Sequence, residues 1–267
     1  MTTTSPIPYS SPEAARVLRL DPARQSRIGV TLAGLIVGAW LSAHVFAVFF
    51  YPWGAAGVWL APVMVAVLCW LYVGLFIIAH DCMHGSLAPF RPGLNRAIGM
   101  ICLTVYAGFD YDLMNRKHHL HHRHAGTDGD PDFDARRPHG FWVWYLKFFT
   151  EYFSGREVLI IFGTVCVYLL LGAPLLNIWV FWALPAVLSS LQLFTFGTYL
   201  PHKPGNPAFV DRHNARSNRF GWITSVLTCF HFGYHHEHHE HPGLPWWHLP
   251  AAHALPGAIE AGVERES

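Results

Sequence analysis

The chain has 267 residues, of which 52% are hydrophobic, 15% aromatic and only 13% charged. This composition departs from that of a soluble domain and is typical of a membrane protein. The formal net charge of +1 comes from nearly balanced acidic and basic residues. It argues against a nucleic-acid partner, because such a partner requires a concentrated basic face.

The first 27 residues are predicted to form a cytoplasmic tail. They are rich in Pro and Ser and then carry arginines, without the apolar run and small-residue cleavage site of a secretory signal. We expect a membrane domain over residues 28–250, followed by a C-terminal tail over residues 251–267.

Two blocks without charge predict two membrane hairpins. No Asp, Glu, Lys or Arg occurs in residues 28–79 or in residues 158–200. One spanning helix needs roughly 20 apolar residues, so each block is long enough for two passes. Turn residues at 52–54 and 172–174 divide the blocks. The predicted spans lie near Ile28–Tyr51, Gly57–His80, Val158–Gly172 and Ile178–Leu200.

The positions of the basic residues predict the orientation. All 18 Lys and Arg lie outside the two turns. By the positive-inside rule, both hairpins enter and leave on the cytoplasmic side, where both termini also lie. The predicted fold is therefore an all-α integral membrane protein with four transmembrane helices in two hairpins and a cytoplasmic cap.

Three histidine clusters lie at or just beyond the predicted cytoplasmic helix ends. In the first, a spacing of four residues places two imidazoles on one helix face. The other two share the pattern H-x-x-H-H, in which one short helix can serve two neighbouring metals. With one further histidine at the end of the fourth span, the candidate metal ligands are His80, His84, His118, His121, His122, His202, His235, His238 and His239.

This many imidazoles exceeds the ligand number of one ion, which is at most about six, so two metals are predicted. Neutral imidazole suits iron, copper, zinc and nickel, and the ligand type therefore leaves the element open. A single His-rich segment can be an adventitious surface site, but three spaced clusters on one membrane face disfavour this alternative. His44 lies too deep in its helix to join them, and we expect it to form a helix-to-helix hydrogen bond.

Residues beside the clusters are candidates to hold imidazole N–H groups and fix their tautomers. The alternative for those in loops is simple exposure to solvent. Cys82 lies inside the first cluster, where a small buried residue is favoured over a ligand. His231 and His236 are also candidates for further metal ligands. The full set of supporting candidates is Asp81, Asp128, Asp130, Asp132, Glu237, Glu240, His231 and His236.

The ordered pattern H-x-x-x-H, H-x-x-H-H and H-x-x-H-H resembles the integral-membrane fatty acid desaturase and hydroxylase superfamily over roughly residues 28–250. The flanking sequence is similar to that of the bacterial β-carotene ketolases, or carotenoid 4-ketolases. The segments that carry this similarity are HDCMHG at 80–85, GTDGDPDF at 126–133, FTFGTYLPH at 194–202, FHFGYHHEHH at 230–239 and PWWHLP at 245–250.

The resemblance implies a centre of two Fe²⁺ ions that uses O₂ and supplied electrons, with reduced ferredoxin as the donor protein. It implies two successive hydroxylations at C4 of a β-carotene ring, which give a gem-diol that loses water to the ketone. Echinenone and then canthaxanthin are the expected products, and hydroxylated carotenoids would be converted toward astaxanthin. It also implies a bacterial inner membrane location with the active site on the cytoplasmic side.

Several alternatives stay open at this point. An acyl-lipid desaturase or a carotenoid 3-hydroxylase would share the scaffold and the clusters. A metal transporter or a non-catalytic metal-binding protein would place ionisable ligands near the middle of the bilayer, where the charge-free blocks offer only His44. The aromatic segment Phe141–Phe149 is predicted to be an interfacial helix that either lines the substrate entrance or only anchors the protein.

Overall fold

The computed structural model describes residues 12–205 and 208–255, and within these ranges it contains helices and no strand. The all-α class is therefore as predicted. Of the predicted tails, residues 1–11 and 256–267 lie outside the described residues. The remainder of the N-terminal segment forms α1 (Pro12–Leu18) and the start of the next helix.

Three helices are long and apolar enough to cross a membrane. The first, α2, spans Pro22–Val45 and continues through a π-helical turn, Phe46–Phe50. The second, α3, spans Ala55–His84. The α2 helix begins before the predicted Ile28 because the Asp21 carboxylate caps it, accepting a hydrogen bond from the Arg24 backbone N–H at 2.7 Å.

The third long helix, α8, spans Leu175–His202 and contains two π-helical turns. Two bent pairs of shorter helices complete the bundle. In the first pair, α4 (Pro92–Ala107) meets α5 (Tyr111–His124) at 100°, and in the second α6 (Phe141–Tyr152) meets α7 (Gly155–Leu170) at 79°. By length and composition the described residues therefore offer three candidate spans, or up to five if each bent pair is one span.

The helix α3 ends at the last histidine of the first cluster. Gly85 adopts a left-handed conformation with φ of 68°, which ends the helix directly after His84. The helix therefore extends one turn beyond its predicted end at His80, and both histidines of the cluster lie on regular helix. Gly172, with φ of 87°, lies in the turn between α7 and α8, where the sequence predicted a turn.

The C-terminal segment packs into the bundle through Phe230. This residue ends α9 (Trp222–Cys229) in a left-handed conformation, and its buried ring stacks on Trp70 with the centroids 4.5 Å apart. A Cβ at Gly74 would lie 2.8 Å from the Phe230 ring, so this glycine makes room for it. The contact holds the segment that leads into α10 (His235–Glu240), which carries the third histidine cluster. A short 3₁₀ turn, Trp246–His248, and α11 (Leu249–His253) follow it.

His44 forms the helix-to-helix hydrogen bond that the sequence predicted. Its Nε2 lies 2.8 Å from the hydroxyl of Tyr168, which joins α2 to α7. The ring also stacks on Trp40 at 4.8 Å, so it serves packing inside the bundle.

A pair of glycine substitutions in α2 tests its packing against the loop that follows α3. A Cβ at Gly29 would lie 2.3 Å from the carbonyl oxygen of Leu87, whereas a Cβ at Gly34 would meet nothing within 4 Å. We expect Gly29→Ala to lower the melting temperature, because the helix must move away from rigid backbone. Gly34→Ala should be neutral or stabilising, since alanine favours helix by about 1 kcal/mol over glycine. Circular dichroism of the detergent-solubilised protein measures both, and equal melting temperatures would contradict the packing described.

Candidate metal centre

Nine histidines from four helices converge at one end of the bundle. They come from the ends of α3 and α8, from α5 and from the short helix α10. These are the residues that sequence analysis singled out as ligands, and their ring nitrogens form two groups in which all the candidate ligand atoms lie within 4.8 Å of one another. The first group contains His80, His84, His118, His122 and His238, and the second contains His121, His202, His235 and His239.

Each H-x-x-H-H segment contributes to both groups. His118 and His122 lie one helical turn apart in the first group, while His121 points to the second. In the third cluster one histidine, His238, joins the first group, and two, His235 and His239, join the second.

The Nε2 atoms face one another within each group. The distance is 2.6 Å between His84 and His118 and 3.0 Å between His122 and His238. In the second group His235 Nε2 lies 2.9 Å from that of His202. A neutral imidazole has one donor and one acceptor nitrogen, so several Nε2 atoms aimed at one point cannot all be satisfied by each other.

Some buried ring nitrogens also have no hydrogen-bond partner among the described residues. Both nitrogens of His80 are unpartnered, as are the Nδ1 atoms of His235 and His239. Buried polar atoms are rarely left without a partner, because the lost hydration costs about 1–3 kcal/mol each. Burial lowers the pKa of His238 and His239 well below the usual value, which keeps these imidazoles in the neutral form that binds metals. The arrangement thus fits two bound metal ions.

Asp130 contacts His121, a member of the second group, and orients its ring. Both of its carboxylate oxygens lie 3.0 Å from Nδ1 of His121, which directs Nε2 of that ring toward the group.

Asp132 lies next to this pair. One of its oxygens is 3.8 Å from Nδ1 of His121, and it accepts a hydrogen bond from the hydroxyl of Tyr152. Burial raises the pKa of Asp132 to about 6.

Asp81 links the first cluster to the C-terminal segment. It lies 3.7 Å from Nδ1 of His80 and accepts the backbone N–H of Trp246 at 3.1 Å.

The other supporting candidates lie apart from the nine imidazoles. Glu237 accepts a hydrogen bond from His253 at 2.7 Å, and His236 pairs with Asp211 at 2.7 Å. Glu240 approaches only His241, at 3.9 Å, and Asp128 is exposed. His231 stacks on Tyr234 and, like His236 and the buried Cys82, belongs to neither group.

Sequence analysis missed two partners of the site. Nδ1 of His202 donates to the backbone carbonyl of Asn214 at 2.7 Å, and a backbone acceptor leaves no signal in residue type. Tyr152, at the end of α6, is separated from Asp132 by a loop and a helix, so only the folded chain brings the two together.

An apolar cavity of about 220 Å³ reaches the histidines. His80, His118, His121 and His235 line one part of it, and the rest is lined mostly by aromatic and aliphatic side chains such as Phe76, Trp182 and Leu193. The aromatic helix α6 contributes Phe148 and Phe149 to the lining, while its Trp142 is 64% exposed. One face of this helix therefore borders the cavity and the other is free to contact lipid.

A helical bundle with apolar spans and three convergent histidine clusters defines the class of histidine-box membrane proteins. The family model for fatty acid desaturases matches residues 57–156 and 151–263. The chain belongs to the fatty acid desaturase family and, within it, to the β-carotene ketolases. It is 53% identical to the β-carotene ketolase of Paracoccus sp. (strain N81106 / MBIC 01143), over 87% of this chain and 95% of that protein.

Relatives from algae extend the comparison. The chain is 36% identical to β-carotene 4-ketolase 3 of Haematococcus lacustris, over 94% of this chain and 88% of that protein. It is also 36% identical to a zeaxanthin 4-ketolase of Chlamydomonas reinhardtii, over 88% of this chain and 55% of that protein. The resemblance inferred from the sequence motifs is therefore confirmed.

Two substitutions in one loop test the support that Asp130 gives to the second group. We expect Asp130→Asn to weaken metal binding about 10- to 100-fold, because the carboxylate no longer orients and polarises His121. Asp128→Asn is the matched control, since that side chain is exposed. The metal retained after dialysis of the purified protein against increasing chelator concentrations measures the effect. Equal retention in the two variants would show that Asp130 does not support the site.

Proposed function

We propose that this protein is a β-carotene ketolase that introduces a keto group at C4 of the β-ionone rings, with O₂ and electrons, at two iron ions held by histidine. The convergence of nine imidazoles at the wall of an apolar cavity carries this proposal. The sequence identity to β-carotene ketolases selects the substrate class.

The two histidine groups are the proposed ligand sets of the two irons, with five and four imidazoles respectively. Once bound, a pair of Fe²⁺ ions supplies the O₂ activation that hydroxylation of an unactivated C–H bond requires. The protein's own part is to present neutral Nε2 atoms. Asp130 and the Asn214 carbonyl hold the opposite ring nitrogens of His121 and His202, and so fix the direction of both lone pairs.

The cavity provides binding for a hydrocarbon. A carotene has no charge and no hydrogen-bonding atom, so it partitions into the bilayer and can be held only by apolar contact. Phe148, Phe149 and Phe76 offer this contact next to the imidazoles. The same walls exclude bulk water from the reacting carbon. Two hydroxylations at that carbon give a gem-diol, and loss of water gives the ketone, first on one ring and then on the other.

We place the site on the cytoplasmic side of a bacterial inner membrane, with α2, α3, α7 and α8 as the four spans of the domain over residues 28–250. The absence of Lys and Arg from residues 28–79 and 158–200 supports both hairpin turns on the far side. The 79° bend between α6 and α7 lets α6 lie along the interface while α7 enters the bilayer. Reduced ferredoxin would then reach the cap from the cytoplasm.

Expression in cells that make β-carotene tests the substrate and reaction. We expect echinenone and canthaxanthin to accumulate, and astaxanthin to form where hydroxylated carotenoids are present. Pigments and fatty acids are separated by chromatography from the same cells. Unchanged pigments with altered fatty-acid unsaturation would favour an acyl-lipid desaturase, and new 3-hydroxylated pigments without ketones would favour a 3-hydroxylase.

A pair of substitutions in α5 tests the iron site. His122 belongs to the first histidine group, whereas His119 belongs to neither group and is exposed. We expect about two irons per chain in the wild type, because the two groups each fit one ion. His122→Ala should reduce the iron content and abolish ketone formation, while His119→Ala should retain both. Zinc or no metal in the wild-type protein would support a binding or transport role.

A further inference from the structure

One hydroxyl group at the cavity has no partner. Of the hydroxyl-bearing residues that line the cavity, Tyr106 is paired with Ser189, Ser190 with Tyr145, and Tyr152 with Asp132. The hydroxyl of Thr198 forms no hydrogen bond within the part of the chain that the structure describes, although the residue is only 6% exposed. A hydroxyl without a partner, on a largely buried residue that lines a cavity, is available to a ligand.

Thr198 differs from the neighbouring Thr195 in how its hydroxyl is bonded. It lies in the π-helical turn Thr195–Tyr199 of α8. In a regular helix a threonine hydroxyl commonly bonds to the carbonyl four residues earlier, as Thr195 does to Leu191 at 2.7 Å. Single π-helical turns occur frequently at functional sites.

Thr198 lies on the same helix as His202 and lines the same cavity as His235, two members of the second histidine group. His202 follows it by four residues on the same continuous helix, which corresponds to about one turn. His235, whose Nε2 lies 2.9 Å from that of His202, lines the same cavity as Thr198.

We propose that the Thr198 hydroxyl binds the C4 hydroxyl group of the half-oxidised carotenoid and retains it for the second oxidation. The inference rests on the proposed ketolase function. In the first oxidation, O₂, two electrons and two protons convert a C–H bond to C–OH and release one water. The second consumes the same reactants at the same carbon, releases another water and gives the gem-diol, which loses a water to form the ketone.

The intermediate differs from the starting hydrocarbon by one hydroxyl group. Moving a hydroxyl into an apolar cavity without a partner is unfavourable, so the alcohol would tend to leave before the second oxidation. Thr198 can donate to or accept from that group, whereas β-carotene offers it nothing to bond. The contact therefore forms only after the first oxidation, and it favours the ketone over the alcohol as the product released.

Substitutions that remove or keep the hydroxyl test this role. Membranes containing each variant are supplied with β-carotene, reductant and O₂, and the ketone and 4-hydroxy products are quantified. We expect Thr198→Val to lower the ratio of ketone to alcohol about 3- to 10-fold, the effect of one lost hydrogen bond, and by more than it lowers total oxidised carotenoid. Thr198→Ala should do the same, and Thr198→Ser should restore the ratio.

Thr195→Val is the matched control, because its hydroxyl is bonded within the helix, and it should keep the wild-type ratio. A wild-type ratio in both Thr198→Val and Thr198→Ala overturns the inference. So does a parallel fall of ketone and alcohol in variants with normal protein and iron content, because that indicates a structural role. Absence of any oxidised carotenoid in the wild type would instead reject the ketolase function itself.

Discussion

The mutual approach of nine imidazoles, six of them buried and three partly buried, is the constraint on which the structure depends. Their Nε2 atoms face one another at distances such as 2.6 Å between His84 and His118, and none of these rings can supply enough protons to satisfy its neighbours. A cation in each of the two groups would satisfy these lone pairs, so the arrangement fits bound metal. Two residues support this geometry. Gly85 ends α3 directly after His84, and the buried carboxylate of Asp130 orients the ring of His121.

The three histidine clusters and the long apolar helices could be predicted from the sequence, because the patterns that indicate them are local. The absence of charge over residues 28–79 and the spacing of His80 and His84 each depend on a few adjacent turns of helix. The helix α4 was not predicted, since Asn95 and Arg96 interrupt its apolar pattern. The predicted span Val158–Gly172 is short because of the Gly-Ala-Pro break that follows it, and α7 likewise has only 16 residues, fewer than the roughly 20 of a complete span.

The partners of the site were harder to predict because they depend on tertiary proximity. Glu237 was expected to hold a nearby imidazole, and it does contact one, but the partner is His253 from the following helix. The acceptor for His202 is a main-chain carbonyl that any residue type could supply. The family-level pattern of histidines also cannot separate carotenoid from acyl substrates. That distinction depends on the walls of the cavity, whose aromatic residues come from several helices, among them Phe76 of α3, Phe148 of α6 and Trp182 of α8.

The docking of Phe230 against Trp70 and Gly74 has a consequence for how the protein matures. The helix that follows Phe230 supplies His238 to one histidine group and His235 and His239 to the other. Neither group is complete until this late part of the chain has been synthesised and has settled onto the bundle. A chain synthesised only through α3 holds two of the nine histidines, both of the first group, so neither group can form before the C-terminal segment is present.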